Sequence, residues 1–464
     1  MPLLEKTMFR EYDIRGRESD TELNVHSLYH IARGFAAMLS ARGIADVILG
    51  NDSRSTSESF HEAAKRAFLE SGINVISIGT VTTPMSYFAQ YHLNVKGLCM
   101  ITASHNPVGW NGVKLGMGLS ETLLPHDVKE LYDIIVREAY ISGSGVLTEE
   151  DVTAAYERDL TSRVPLSKKL KLLINTGNGT AGLFAPDFFR AAGCEVVEHN
   201  TDVDPTYPNY TPNPDGTKMM EDTGKKTVEH GCDIGVAFDG DGDRLGITDE
   251  HGNTIWPDRY LILLSRGVLL RHPGAKIIFD VKVSEALPED IASHGGIPLM
   301  WKTGHSHIKS KRKEEQAPLA GEMSGHIFFA DNFYGFDDAF FACLKLLEYV
   351  AHENKPVSEL VASTPYYVST PTIQVTVTDE NKYELVGTLT KEFEAEGYRV
   401  VTINGARVYT DDGWGLVRAS SNTPTLVLRF ESKTEEGLKR IRELFANKLE
   451  AHGVPASSWD STGH

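Results

Sequence analysis

Asp233-Ile-Gly-Val-Ala-Phe238, Asp239-Gly-Asp-Gly-Asp-Arg244 and Leu245-Gly-Ile-Thr248 follow one another without a break. The outer segments are short, apolar and β-branched, so they read as strands. The middle segment puts three carboxylates within five residues and spaces them with glycine. For carboxylates ~5 Å apart at an effective dielectric of ~20, each ionised pair costs roughly 3 kcal/mol. Such a loop is built to hold a hard cation. Oxygen ligands without Cys or His select Mg²⁺, Mn²⁺ or Ca²⁺. Acids at loop positions 1, 3 and 5 and Glu250 at position 12 imitate a calcium EF-hand. Position 6 requires glycine for its sharp turn, however, and here it is Arg244. The strand-like flanks are also wrong for a helix–loop–helix. A metal loop carrying its own arginine points to a metal that meets a phosphate. The plain alternative is a solvated acidic turn.

Working outward, strand-like and helix-like stretches alternate, which predicts an α/β protein. Val47-Ile-Leu-Gly50, Asn74-Val-Ile-Ser-Ile78 and Leu98-Cys-Met-Ile-Thr102 read as strands. Phe60, Ala64 and Phe68 mark a helix between the first two, and Thr83-Pro84 opens the next. The pattern restarts at Lys171-Leu-Leu-Ile174 and again at Lys276-Ile-Ile-Phe-Asp280. Each round has a polar, glycine-bearing loop between strands. These are Thr102 to Pro107, Asp239 to Arg244, and Gly321-Glu-Met-Ser-Gly-His326. The pattern predicts three similar mixed-sheet α/β domains. The last ~100 residues differ. Thr372 to Thr378 alternates like a half-exposed strand, Leu426 to Phe430 is a second strand, and Glu435 to Leu449 is an amphipathic helix, giving an α+β fourth domain. The expected domains are residues 1–148, 149–253, 254–366 and 367–464.

A chain of 464 residues exceeds one core and suits several domains. Its net charge of −18 disfavours nucleic acid and anionic membrane as partners. Cys99, Cys194, Cys232 and Cys343 are scattered without a C-x-x-C pair, so neither a zinc knuckle nor a disulfide framework is indicated. The N-terminus lacks a signal-peptide core, and no uncharged apolar run reaches ~18 residues. A cytoplasmic enzyme is the expectation. Gly177-Asn-Gly-Thr-Ala-Gly182 lacks the Gly-Lys-Ser/Thr of a P-loop and the acid of a dinucleotide site, so it reads as a turn that starts a helix.

Ser104 sits after a buried strand, flanked by Ala103 and His105 and followed by Asn106-Pro107. The hydrolase pattern Gly-x-Ser-x-Gly is absent. Taken with the acidic loop, Gly321 to His326 and Arg418-Ala-Ser-Ser-Asn-Thr-Pro424, it resembles the α-D-phosphohexomutase family, in its phosphomannomutase/phosphoglucomutase branch. Phe9-Arg-Glu-Tyr-Asp-Ile-Arg-Gly16, Asn111-Gly-Val-Lys114, Asp280-Val-Lys282 and Lys302-Thr-Gly-His-Ser306 extend the resemblance, in the family's order, along nearly the whole chain.

The resemblance implies four domains around a central active-site cleft. It implies that Ser104 is phosphorylated and that one Mg²⁺ per chain lies between it and Asp239, Asp241 and Asp243. It implies a mutase that interconverts hexose 1-phosphate and hexose 6-phosphate, with a hexose 1,6-bisphosphate as intermediate and activator. Arg244 adds a donor to the phosphate. Arg418, Ser420, Ser421, Asn422 and Thr423 line a pocket for the non-reacting phosphate; the branch usually reads Arg-Ala-Ser-Asn-Thr-Thr-Pro here, so Ser421 and Asn422 are departures. Glu322 and Ser324 hold ring hydroxyls, and Tyr12, Lys282 and His305 contact substrate. Lys114 and His326 are candidates to move a proton, a lysine among cations being able to titrate low. Arg15 and Lys282 read as neutralising phosphate. The C-terminal domain is expected to hinge over the substrate. Met323 stands where phosphoglucosamine mutases have Gln, which favours mannose and glucose phosphates over that alternative. The expected partners are small hexose phosphates, and the chain is expected to be a monomer or homodimer. Outside the family, a sugar-phosphate phosphatase and a calcium-binding structural module remain as alternative classes.

Overall fold

The computed structural model describes residues 4–11, 13–420 and 423–460. Tyr12, Ser421 and Asn422, each nominated above, lie outside the described residues. The chain divides into two compact units: Met1–Pro214, Lys218–Ile255 and Gly325–Val357 form the first; Asp215–Thr217, Trp256–Ser324 and Ser358–His464 form the second.

The first unit holds two sheets of similar design. In one, Trp110–Gly118, Gly97–Ile101, Asp46–Asn51 and Asn74–Thr80 lie side by side; the last three are parallel and the first runs against them. In the other, Leu245–Thr248, Ile234–Phe238, Lys171–Asn175 and Glu195–His199 repeat that arrangement. The parallel strands of each trio follow the order third, first, second along the chain. Their central strands are buried on both faces, as Val47, Ile48 and Leu49 show, which is why they read as unbroken apolar runs. In the second unit, Leu319–Gly321, Lys276–Asp280 and Ile297–Trp301 form a parallel trio in the same order. The internal repeat is therefore topological, and each polar loop leaves the carboxyl end of the third strand of its trio. Open α/β sheets bind ligands at that end.

The pair Ile234–Phe238 and Leu245–Thr248 is antiparallel with Phe238 opposite Leu245, so Asp239 to Arg244 is the hairpin loop. Strands, not helices, flank the acids, which removes the EF-hand alternative. The rest of the second unit is an antiparallel sheet running Arg399–Val401, Ala406–Thr410, Gly413–Ala419, Thr425–Ser432, Ile373–Thr376. Helices Lys382–Ala395 and Glu435–Ala451 cover one face through Leu389, Phe393, Ile441 and Phe445. No helix among the described residues is long and apolar enough to cross a membrane.

Aromatic packing explains why residues 325–357 belong to the first unit. Phe340, in helix Ala339–Glu353, meets Phe238 at 4.8 Å, Phe188 at 5.2 Å and Phe189 at 5.8 Å. Asp338 caps that helix by accepting from the Phe341 N–H, and the Tyr156 hydroxyl donates to both its oxygens at 3.0 and 2.9 Å. Burial pushes the Asp338 carboxyl up to about 7 in spite of these bonds. The folded chain thus holds a proton that the unfolded chain, with an ordinary Asp, releases near pH ~4. Stability from this group is full below that pH and is lost as pH rises toward 7, about 4 kcal/mol in all. Asp338→Asn is expected to flatten the fall in unfolding free energy between about pH 4 and about pH 7 in urea titrations. Parallel pH profiles for the two proteins would contradict this origin.

Candidate active site

Ser104 adopts a left-handed backbone conformation, φ 51°. Its N–H donates to Thr102 Oγ1 at 2.8 Å, and its carbonyl accepts from Arg54 Nη2 at 2.7 Å. The hydroxyl donates to Asp239 Oδ2 at 2.8 Å and lies 3.2 Å from His105 Nδ1. Ser104 and the acidic hairpin, 135 residues apart in sequence, are in direct contact within the first unit.

The glycines of the hairpin permit this approach. A Cβ on Gly240 would lie 2.4 Å from the Ser104 carbonyl oxygen. Gly242 has φ 74°, and a Cβ there would press within 2.9 Å of Thr82. All three carboxylates are fully buried and present oxygens within 4.8 Å of one another. Asp239 Oδ1 accepts from the N–H groups of Asp243 and Arg244. Asp241 Oδ2 accepts from Thr83 Oγ1 at 2.5 Å and from Lys114 Nζ at 2.8 Å. Lys114 Nζ also pairs with Asp243 Oδ2. Asp241 Oδ1 and Asp243 Oδ1 are buried with no hydrogen-bond partner.

The charges in the loop are unbalanced. Burial, then Asp243 and Asp241, hold the Asp239 carboxyl well above the usual range. Burial opposes ionisation of Asp241 too, but Lys114 and Thr83 outweigh it and bring that carboxyl below its ordinary value. Lys114, and Arg244 with its Nε 3.9 Å from Asp239 Oδ2, offset only part of three acids. Buried oxygens with no donor, in an all-oxygen set, fit a hard divalent cation.

Lys114 sits among carboxylates. Burial alone would lower its pKa, but Asp241 and Asp243 more than reverse that and hold it well above the ordinary lysine range. Its neighbours are carboxylates, so it keeps its proton and acts here as a counter-charge. His326 is placed differently. Arg244 Nε–H donates to His326 Nε2 at 3.0 Å, so the ring proton sits on Nδ1, 2.9 Å from Asp337 Oδ2 and 3.6 Å from Asp243 Oδ1. A backbone bridge between Arg244 and His326 fixes this register. Arg15 pairs with Asp13 at 2.8 Å and donates to Asn106 Oδ1 at 2.8 Å, beside the serine loop.

All other nominated residues that are described belong to the second unit. Lys282 Nζ is 3.6 Å from Asp280 Oδ2. The other oxygen of Asp280 accepts from the Met323 N–H at 3.2 Å. Glu322 accepts from the Gly304 N–H at 2.5 Å, at the start of the helix His305–Glu315, in which His305 is buried. These contacts draw Lys282, His305, Glu322 and the neighbouring Ser324 onto one group of loops. Arg418 is the penultimate residue of the strand Gly413–Ala419, with its Nε buried and unbonded. Thr423 Oγ1 donates to Ser420 Oγ at 2.9 Å. Buried Lys382 donates to the carbonyls of Ser420 and Thr423.

Sequence reasoning passed over Asp52, Arg54, Thr83, His105 and Asp337. His105 was visible beside Ser104, but its direction was not. Burial, followed by Arg244, Arg15, His326 and Arg54, holds its imidazole well below the usual histidine range, so the ring is neutral. Asp52-Ser-Arg54, directly after an apolar strand, was the available signal for Arg54.

Four family models cover most of the chain: phosphoglucomutase/phosphomannomutase alpha/beta/alpha domain I over residues 6–141, domain II over 153–252, domain III over 256–367 and the C-terminal domain over 373–448. A phosphomannomutase/phosphoglucomutase of Pseudomonas syringae pv. tomato is 40% identical over 448 residues, 97% of this chain and 96% of that protein. A phosphoglucomutase of Neisseria meningitidis is 40% identical over 456 residues, 97% of this chain and 98% of that protein. The crystal structure of a phosphoglucomutase/phosphomannomutase family protein from Burkholderia thailandensis superposes with a TM-score of 0.91 at 38% identity, covering 97% of this chain and 98% of that one.

Proposed function

The chain belongs to the phosphoglucomutase/phosphomannomutase family, and from that we propose that it interconverts hexose 1-phosphates and hexose 6-phosphates of the glucose and mannose series through a phosphorylated Ser104. The observation that carries this reading is the Ser104 hydroxyl, 2.8 Å from Asp239 in a buried acidic triplet whose other members keep partnerless oxygens.

Asp239, Asp241 and Asp243 would hold Mg²⁺, which supplies neutralisation of the charge that spreads over the phosphoryl oxygens during transfer. The residues of the chain do the rest. Ser104 carries the phosphoryl group. The sugar hydroxyl oxygen bonds to phosphorus as the Ser104 Oγ–P bond breaks, and its proton leaves to a base while Oγ ends protonated. In the second half the bisphosphate presents its other phosphate and the same events run backward. Arg244 donates toward the transferring group, and Lys114 limits the negative charge beside it. Of the nominated bases, Lys114 is held protonated by its two carboxylates, and His326 Nε2 accepts from Arg244 Nε–H, so it takes a proton only once that bond is given up. Arg15 supplies positive charge next to Asn106 in the serine loop.

Lys282, His305, Glu322, Ser324, Arg418, Ser420 and Thr423 are assigned to the sugar and to the non-reacting phosphate. An arginine with an unbonded Nε and neighbouring hydroxyls suits a phosphate. Ring hydroxyls suit Glu322. The test is a pair of coupled assays on glucose 1-phosphate and mannose 1-phosphate with a trace of hexose 1,6-bisphosphate. Hexose 6-phosphate is expected to accumulate without free phosphate. Phosphate release matching substrate loss would make the protein a phosphatase, and turnover of glucosamine 1-phosphate above the other two would shift the sugar assignment.

A further inference from the structure

The geometry assigns to Arg54 the role of a positioning residue for Ser104: its guanidinium holds the serine loop in the one conformation that aims the hydroxyl at the acidic triplet. This inference rests on the phosphoserine reading above and adds to it a residue that touches neither substrate nor metal.

Arg54 is 5% exposed. Its Nη2 donates to the carbonyl of Ser104 at 2.7 Å and to that of Asn106 at 2.7 Å, and its Nη1 donates to the carbonyls of Pro107 at 3.2 Å and Trp110 at 3.1 Å. Four carbonyls, spread over the turn between strands Gly97–Ile101 and Trp110–Gly118, point at a single planar cation. Arg54 is itself fixed. Asp52, 1% exposed, accepts from its Nε at 3.2 Å and from its backbone N–H at 3.1 Å, and the Tyr207 ring lies 5.5 Å from the guanidinium carbon.

The loop needs such an anchor because Ser104 sits at φ 51°, a region that a residue with a Cβ avoids. Glycine would relieve the strain but has no hydroxyl. A strained residue persists only where its surroundings over-determine it. Here Thr102 Oγ1 takes the N–H of Ser104, Arg54 takes its carbonyl, and Gly240 leaves room against that same carbonyl. With both ends of the residue pinned, the direction of its Cα–Cβ bond is set, and from there the hydroxyl reaches Asp239 Oδ2 at 2.8 Å. Lysine keeps the charge but has no fork, so it cannot bond four carbonyls in one plane.

Phosphoryl transfer depends on alignment, so loss of the anchor should slow the chemistry and leave the number of competent sites unchanged. A partly unfolded population does the opposite: fewer sites react, each at the normal rate. Rapid-quench measurement of labelled glucose 1,6-bisphosphate reacting with dephosphorylated protein separates the two through its rate constant and its amplitude. Arg54→Lys is expected to lower the rate constant of Ser104 phosphorylation by roughly 10²-fold at undiminished amplitude. Asp52→Asn, which leaves the fork in place but frees it to rotate, is expected to give a smaller loss of the same kind and provides the measurement if Arg54→Lys does not fold. Wild-type rate constants in the variants, or a loss confined to amplitude, would overturn the assignment. A wild-type protein that accepts no phosphoryl group would instead overturn the phosphoserine reading itself.

Discussion

Ser104→Ala is expected to lower kcat by on the order of 10⁴-fold or more, because the residue is the covalent carrier and the mechanism has no second route for the phosphoryl group. The loss should fall on chemistry alone. The residues assigned to the sugar and to the non-reacting phosphate lie in the second compact unit, and the change removes one buried hydroxyl from the first. Calorimetric affinity for hexose 6-phosphate should therefore stay within a few-fold of wild type. Intact-protein mass spectra after incubation with bisphosphate should show one added phosphoryl group on the wild type and none on the variant. Turnover within tenfold of wild type would exclude Ser104 as the carrier.

Asp239→Asn should separate function from stability, with effects of opposite sign. It removes one of three anionic ligands, so kcat/KM at low Mg²⁺ should fall on the order of 10³-fold, and calorimetric Mg²⁺ affinity should fall with it. The metal-free protein should respond the other way. Burial and the two neighbouring carboxylates hold the Asp239 carboxyl far above its usual range. A carboxyl raised in this way contributes stability only while protonated, and that contribution disappears as pH rises. Asparagine is neutral at every pH and still offers Oδ1 to the N–H groups of Asp243 and Arg244. Metal-free Asp239→Asn should therefore unfold at a temperature equal to or above metal-free wild type near neutral pH, with the advantage growing as pH increases. If the variant is less stable without metal and binds Mg²⁺ normally, the triplet is a structural ion-pair cluster and not a ligand set.

Much of this site could be read from short segments because its chemistry is local in sequence. The carboxylates fall within five residues, and Phe238 and Leu245 close the hairpin that presents them. Ser104 likewise follows a wholly buried strand whose end is visible as Thr102-Ala-Ser. The strand order third, first, second is the regular outcome of a repeated α/β pattern. Other features escaped because they depend on contacts between distant residues. Lys114 carried a motif but not its surroundings, which are two carboxylates from the distant hairpin. Asp337 has no local signature, since its meaning comes from His326 Nδ1 at 2.9 Å. The boundary expected near residue 366 follows the sequence pattern, whereas the Phe340 cluster sets the compactness of residues 325–357.

The sequence by itself determined which chemical groups exist and in what order: an acidic hairpin, a serine at a strand end, a histidine loop and an arginine-serine-threonine loop, each set by local periodicity and by residue type. Only the tertiary structure decided which of them touch. Contact across 135 residues between Ser104 and Asp239 is fixed by the approach of two backbones at Gly240 and by a buried guanidinium drawing four carbonyls together. Such contacts follow from packing and from satisfying buried polar groups, and neither has a signature in any short stretch of chain.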